Sequence, residues 1–149
     1  MSWFQTAAEN FFTDEEGYEI VAAIKEAEKN TSGEIRLHLA TRSKKPPIEE
    51  AWEMFGELHM HQTIQRNGVL IYLSVKDHKF AIVADKGINE VVPAGFWDDI
   101  AQHMSTNFKA KQFVKGLAEG IQKVGEKLKE FFPYQEDDEN ELPDEISFG

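Results

Sequence analysis

The residues of this chain that could do chemistry are mostly oxygen donors. Glu34 follows a Ser32, Gly33 turn and opens an alternating apolar stretch, Arg66 and Asn67 precede a second apolar run, and Asp85 closes a third. Two carboxylates and a carboxamide oxygen are hard ligands, the kind that Ca2+ or Mg2+ takes with waters and backbone carbonyls completing the shell. Glu90, Asp98 and Asp99 follow in the next loop and helix, so the candidate metal residues are Glu34, Asn67, Asp85, Glu90, Asp98 and Asp99. The plain alternative is that Glu34 and Asp85 are solvated strand ends or partners of Arg66. No residue stands out as catalytic. Ser32 before Gly33 reads first as a turn residue. His59 and His61 would lie roughly 200° apart on a helix and could share a metal only if the helix had already ended, so a helix-end position is expected for them. His38, His78 and His103 stand alone, and no phosphate-cradling glycine-rich loop is present.

Whether these donors meet depends on chain direction. Thr13 and Glu16 have capping-box spacing, which starts a helix near Asp14; Ile20, Val21, Ile24 and Ala27 continue it to about Lys29. Trp3, Phe4, Phe11 and Phe12 ahead of it predict a short helical lead. Glu34 to Thr41 alternates with period two, as a strand does. Pro47 opens a second helix with Ala51, Trp52, Phe55 and Leu58. Val69 to Val75 is almost continuously apolar, the mark of a central strand covered on both faces. The short turn Lys76, Asp77, His78 can only return the chain as an antiparallel strand, Lys79 to Ala84, whereas the helix between the first two strands permits a parallel crossover. The sheet is therefore mixed, and Glu34, Asn67 and Asp85 fall at one edge of it.

Two further helices are expected. One runs from about Ala94 to Phe108 with Phe96, Trp97, Ile100 and Met104, and the other carries the stripe Phe113, Leu117, Ile121, Val124, Leu128 and Phe131. Gly116 and Gly120 beside that stripe allow a neighbour to approach closely. Residues 1–133 read as one domain. Residues 134–149 read as an acidic tail, with seven carboxylates between Glu136 and Glu145, either mobile or docked at the sheet edge through Leu142, Ile146 and Phe148.

With 149 residues and 41% apolar content, the chain is sized for a single core. Its 16 Lys and Arg against 27 Asp and Glu give a net charge of -11, which opposes nucleic acid and anionic membranes. There are no cysteines, so disulfides, thiolate nucleophiles and Cys-bound zinc are excluded. Met1 to Phe12 lacks the basic and apolar regions of a signal peptide, and no stretch approaches the roughly 20 apolar residues of a membrane span; a cytoplasmic monomer is the expectation.

Several segments resemble the TPM domain family, named for a thylakoid acid phosphatase, a photosystem repair protein and an acetylcholine-receptor modulator. Thr31, Ser32, Gly33, Glu34, Ile35 resembles its TGxEI segment, and Arg66, Asn67, Gly68, Val69, Leu70 its NNGVLL. Asp85 to Glu90 is similar to its GxGxE segment, and Asn140, Glu141, Leu142, Pro143, Asp144 to a hallmark of its short soluble bacterial branch. The resemblance implies a three-layer α/β/α sandwich around a central mixed β-sheet, divalent-cation binding in some members and acid phosphatase activity in others. Carried over, Glu34, Asn67 and Asp85 match the family's recurring polar positions. Asp85 replaces a common glycine, and a later family acid falls near Val92 and Pro93, leaving Asp98 or Asp99 as substitutes. Three functions are thus expected in order: a Ca2+- or Mg2+-binding module with weak or no catalysis, a metal-assisted phosphomonoesterase, and a protein-interaction domain without metal.

Overall fold

A computed structural model describes residues 6–134 and 142–149. Helix α1 (Asp14–Glu28) starts where the Glu16 N–H donates to Thr13 Oγ1 at 3.1 Å and the Thr13 N–H donates back to Glu16 Oε1 at 2.9 Å. This reciprocal cap satisfies two donors that a bare helix start leaves orphaned. Strand β1 (Glu34–Ala40) follows, then α2 (Pro47–Glu57), a single 3-10 turn (Met60–Gln62), β2 (Gly68–Ser74) and β3 (Lys79–Ala84). The chain continues through a one-turn helix α3 (Lys86–Asn89), α4 (Asp98–Lys109), α5 (Phe113–Phe131) and a short strand β4 (Ser147–Phe148).

The sheet has the order β3-β2-β1-β4. β1 and β2 are parallel with Glu34 opposite Gly68, β3 is antiparallel with Ala84 opposite Val69, and β4 runs parallel to β1 with Ser147 opposite His38. Strand alternation divides the core in two. Ile35, Leu37, Leu39, Val69, Ile71 and Leu73 pack with Ile20 and Ile24 of α1, Met104 of α4 and Leu117, Ile121 and Val124 of α5. On the other face, Ala40, Leu70, Tyr72 and Val83 pack with Ala51 and Phe55 of α2, Met60 and Leu142. Helices on both faces of a mixed sheet make the expected α/β/α sandwich.

α1 and α5 run side by side in the same direction, because their C-terminal ends are tied together. The Ser32 N–H donates to the Phe132 carbonyl at 2.9 Å, and the Tyr134 N–H to that of Asn30 at 3.2 Å. α4 packs on α5 where Gly116 and Gly120 leave room: a Cβ at these positions would lie 2.8 Å from the Phe108 ring and 2.7 Å from Met104 Sδ.

Two local expectations are revised. The residues before α1 form turns around the buried Ala8 rather than a helical lead, with Trp3 and Phe4 outside the described residues. α4 begins at Asp98 and not at Ala94, since Gly95 sits at φ 76° and interrupts right-handed backbone. Of the acidic stretch, the described part takes the docked alternative, with Leu142 buried and Ser147 and Phe148 extending the sheet, while Glu136 to Glu141 lie outside the described residues.

Candidate functional site

The polar positions read from the sequence do gather at one end of the sheet. The Glu34 N–H donates to the Asn67 carbonyl at 3.2 Å and the Asp85 N–H to the Gly68 carbonyl at 3.0 Å, so the three segments lie side by side across β1, β2 and β3. One strand spacing apiece puts the Glu34 and Asp85 backbones about 10 Å apart. Thr31, Glu34, Thr63, Asn67 and Asp85 are all buried at this end. Their side chains take different directions. Ile35 and Val69 face α1, so alternation turns Glu34 toward α2, and Asn67, one residue ahead of Gly68, toward α1. There Asn67 Nδ2 donates to Ser32 Oγ at 3.4 Å, while its Oδ1 is buried without a hydrogen-bond partner.

Asp85 is already committed. Arg66 grips it with both arms, Nε to Oδ2 at 2.7 Å and an Nη to Oδ1 at 2.8 Å, and the Lys86 N–H donates to Oδ1 at 2.7 Å as the cap of α3. A bidentate guanidinium pair is among the stronger charge-assisted contacts. Arg66 adopts φ 52° to deliver it. The plain reading of Asp85 as a partner of Arg66 thus holds, and a cation there would have to displace the guanidinium. Glu90 is exposed and close enough to act electrostatically on Arg66. Asp98 and Asp99 are exposed on α4, with Asp99 3.4 Å from Lys127 of α5. His59 and His61 are exposed beyond the end of α2, their rings 6.4 Å apart.

Two acids outside the candidate set meet at this end. Glu28, in the last turn of α1, accepts the Ile35 N–H at 2.7 Å on the side of β1 away from β2, and is hydrogen-bonded to Asp144. Burial, that hydrogen bond and the charges of Glu34 and Asp144 drive the Glu28 carboxyl up to about 10, the Ile35 N–H opposing them. At neutral pH Glu28 therefore holds its proton. One sequence signal could have found it: an acid in the last turn of a helix faces the negative end of the backbone dipole. Among the described residues, no three His, Asp or Glu side chains are arranged so that they could hold a metal ion as they stand.

His38 is a separate buried group. Its Nδ1 lies 3.0 Å from Ser147 Oγ, its ring stacks on Tyr72, and its Nε2 is buried without a partner. Burial, helped by the charge of Arg36, lowers its pKa to about 4, so it is neutral beneath β4.

No curated protein matches the chain. Among solved structures, the BA42 protein of the psychrophilic bacterium Bizionia argentinensis is similar at 47% identity and TM-score 0.89, over 93% of this chain and 96% of that one. The N-terminal domain of a P. gingivalis protein matches at TM-score 0.66 and 15% identity, covering 81% of this chain and 78% of that one. That of the cg2496 protein of Corynebacterium glutamicum matches at TM-score 0.64 and 9% identity, covering 98% and 88%. The latter two bear on the fold alone. No helix among the described residues is long and apolar enough to cross a membrane. The TPM domain model matches residues 6–127, which takes in the Glu34, Asn67 and Asp85 segments at the polar sheet end, and the chain accordingly belongs to the TPM domain family.

Proposed function

We propose that this TPM domain is a binding module that takes a divalent cation, Ca2+ or Mg2+, at the outer side of β1, with Glu28, Glu34 and Asp144 as the carboxylate donors. The observation that carries this reading is the hydrogen-bonded carboxyl pair of Glu28 and Asp144 beside Glu34, drawn from three separated chain segments. Carboxyl groups brought this close cannot all ionise unless something positive sits among them. A proton now fills that role. A hard divalent ion would fill it with twice the charge, and Glu28 would have to give up its proton and turn with its neighbours to the ion. Asn67, with its unpartnered Oδ1 at the same sheet end, is the donor nearest in kind on the opposite face. A phosphomonoesterase reading has less to rest on, since Arg66, which a phosphate would need, is held by Asp85.

Replacing a proton by a cation leaves a signature, because binding must release the proton into solution. The test is a Ca2+ titration followed by amide chemical shifts, with calorimetry in two buffers of different ionisation enthalpy. The expected result is shifts centred on Ile35, Glu28 and Asp144, loss of close to one proton per ion at neutral pH, and tighter binding at higher pH. Glu28→Gln should abolish the proton release and most of the affinity. Shifts centred on Asn67 and Ser32 would move the site to the other face. Shifts indifferent to Glu28→Gln would sink the reading altogether.

A further inference from the structure

The outer surface of α1 and α5 carries a groove of about 620 Å3. Its floor is made of small side chains, Ala22, Ala23 and Ala27 from α1 and Ala118 and Gly125 from α5. Ala22 is exposed and Ala23, Ala27 and Ala118 are only partly covered, so apolar surface lines an open channel. The floor is shallow for a packing reason. A Cβ on Gly125 would lie 2.8 Å from that of Ala27, so the two helices touch there with no side chain standing between them.

The rims are acidic and evenly spaced. Glu19 and Glu26 stand along α1, Glu119 and Glu126 along α5, and each pair is seven residues apart, which is two helical turns or about 10.5 Å. Because α1 and α5 are parallel, the four carboxylates mark the corners of the channel. Two of them already have partners, which an incoming cation would have to share or displace. Glu26 meets Lys29 at 2.8 Å, with both side chains exposed, Glu119 lies 2.5 Å from His103 Nε2, and Lys129 stands at the far end of the groove. From Glu19 to Asn30 the channel is about 17 Å long, enough for three turns of a third helix.

We infer that this groove docks a basic amphipathic helix from a partner protein, one that lays apolar side chains on the alanine floor and places Lys or Arg seven residues apart on each flank against Glu19, Glu26, Glu119 and Glu126. The small floor lets the incoming backbone approach closely, and flanking charges set register and orientation as they do at the edges of coiled coils. The chain's net charge of -11 brings such a partner in, and the matched spacing holds it in place.

The test uses the full chain and a fluorescein-labelled 18-residue peptide with leucine and alanine on one face and lysines at heptad spacing on both flanks. Its control is a scrambled peptide of the same composition. Anisotropy titrations at about 0.15 M salt, where exposed charges are well screened, should show the amphipathic peptide binding at least about tenfold tighter than the scrambled one. Ala22→Trp fills the channel without changing charge, and its exposed position leaves the fold intact by circular dichroism; it should weaken binding about tenfold. Glu19→Lys with Glu126→Lys should do the same, while the equal charge change Glu49→Lys with Glu57→Lys on α2 should not. Equal binding of the scrambled peptide, or full binding by Ala22→Trp, would overturn the proposal in favour of general attraction to an acidic protein. So would sedimentation showing that a second copy of this chain fills the groove and excludes the peptide.

Discussion

Gly87 offers the sharpest test of how the polar sheet end is held together. A Cβ at this position would lie 2.1 Å from the Gln65 carbonyl oxygen and 2.5 Å from that of Arg66. Ordinary carbon-to-oxygen contact begins at about 3.3 Å, so Gly87→Ala forces a displacement of about 1.2 Å between two backbones, neither of which can swing aside as a side chain would. Overpacking of this sort destabilises by about 1–3 kcal/mol. The same displacement pulls α3 from the loop that carries Arg66, endangering the Asp85 cap, itself worth about 1 kcal/mol. The better helix propensity of alanine returns less than about 1 kcal/mol. The net expectation is a loss of about 1–3 kcal/mol, or roughly 2–12 °C in Tm for a chain of this size.

Urea and thermal unfolding measure this directly, and Gly56→Ala in α2 supplies the contrast. Nothing lies within 4 Å of a Cβ there, so that substitution should stabilise by about 0.5–1 kcal/mol. A Gly87→Ala protein within about 0.5 kcal/mol of the parent would refute the argument that glycine is required for this backbone approach.

Glu28 and His38 should give pH effects of opposite sign. The folded-state pKa of Glu28 is raised from 4.5 to about 10, so its contribution is complete below 4.5 and declines as pH rises through that window, by at most about 1.4 kcal/mol per unit. Unfolding free energies from pH 7 to 9 should therefore fall in the parent and stay flatter in Glu28→Gln. The folded-state pKa of His38 is lowered from 6.5 to about 4, so its contribution is present above 6.5 and declines as pH falls toward 4. His38→Gln should remove that acid-side slope, and an unchanged slope in either variant would contradict the burial assigned to that group. Leu142→Ala, in the core beside Met60 and Leu70, should destabilise by about 2–4 kcal/mol in urea unfolding. Asp85→Ala should cost about 1 kcal/mol or more from the lost α3 cap yet leave Ca2+-induced shifts at Ile35 unchanged, which separates structural from ligand roles at the sheet end.

The elements legible in the sequence were those governed by local rules. The capping box at Thr13, the start of α2 at Pro47, the period-two run from Glu34 and the seven-residue apolar β2 all depend on neighbours within a few positions, and each stands within one residue of where its pattern put it. The mixed direction of the strands also followed from loop lengths, which brought Glu34, Asn67 and Asp85 to one end. What pattern could not provide was side-chain commitment. The grip of Arg66 on Asp85 depends on a left-handed Arg66 backbone and on α3, a four-residue helix too short to show a period. The pairing of Glu28 with Asp144 joins residues more than a hundred positions apart, and only β4 docking beside β1 brings them together.

That docking carries a consequence for how the molecule is made. β1 is an interior strand only because residues 147 and 148 lie along it, and they leave the ribosome after every other described element. Until then its outer row of amide and carbonyl groups is an open template for pairing with another chain. A contact of such long sequence separation also forms late in any folding route governed by loop closure. Newly synthesised molecules therefore pass through an interval of aggregation risk, which delayed docking of residues 147 and 148 would prolong.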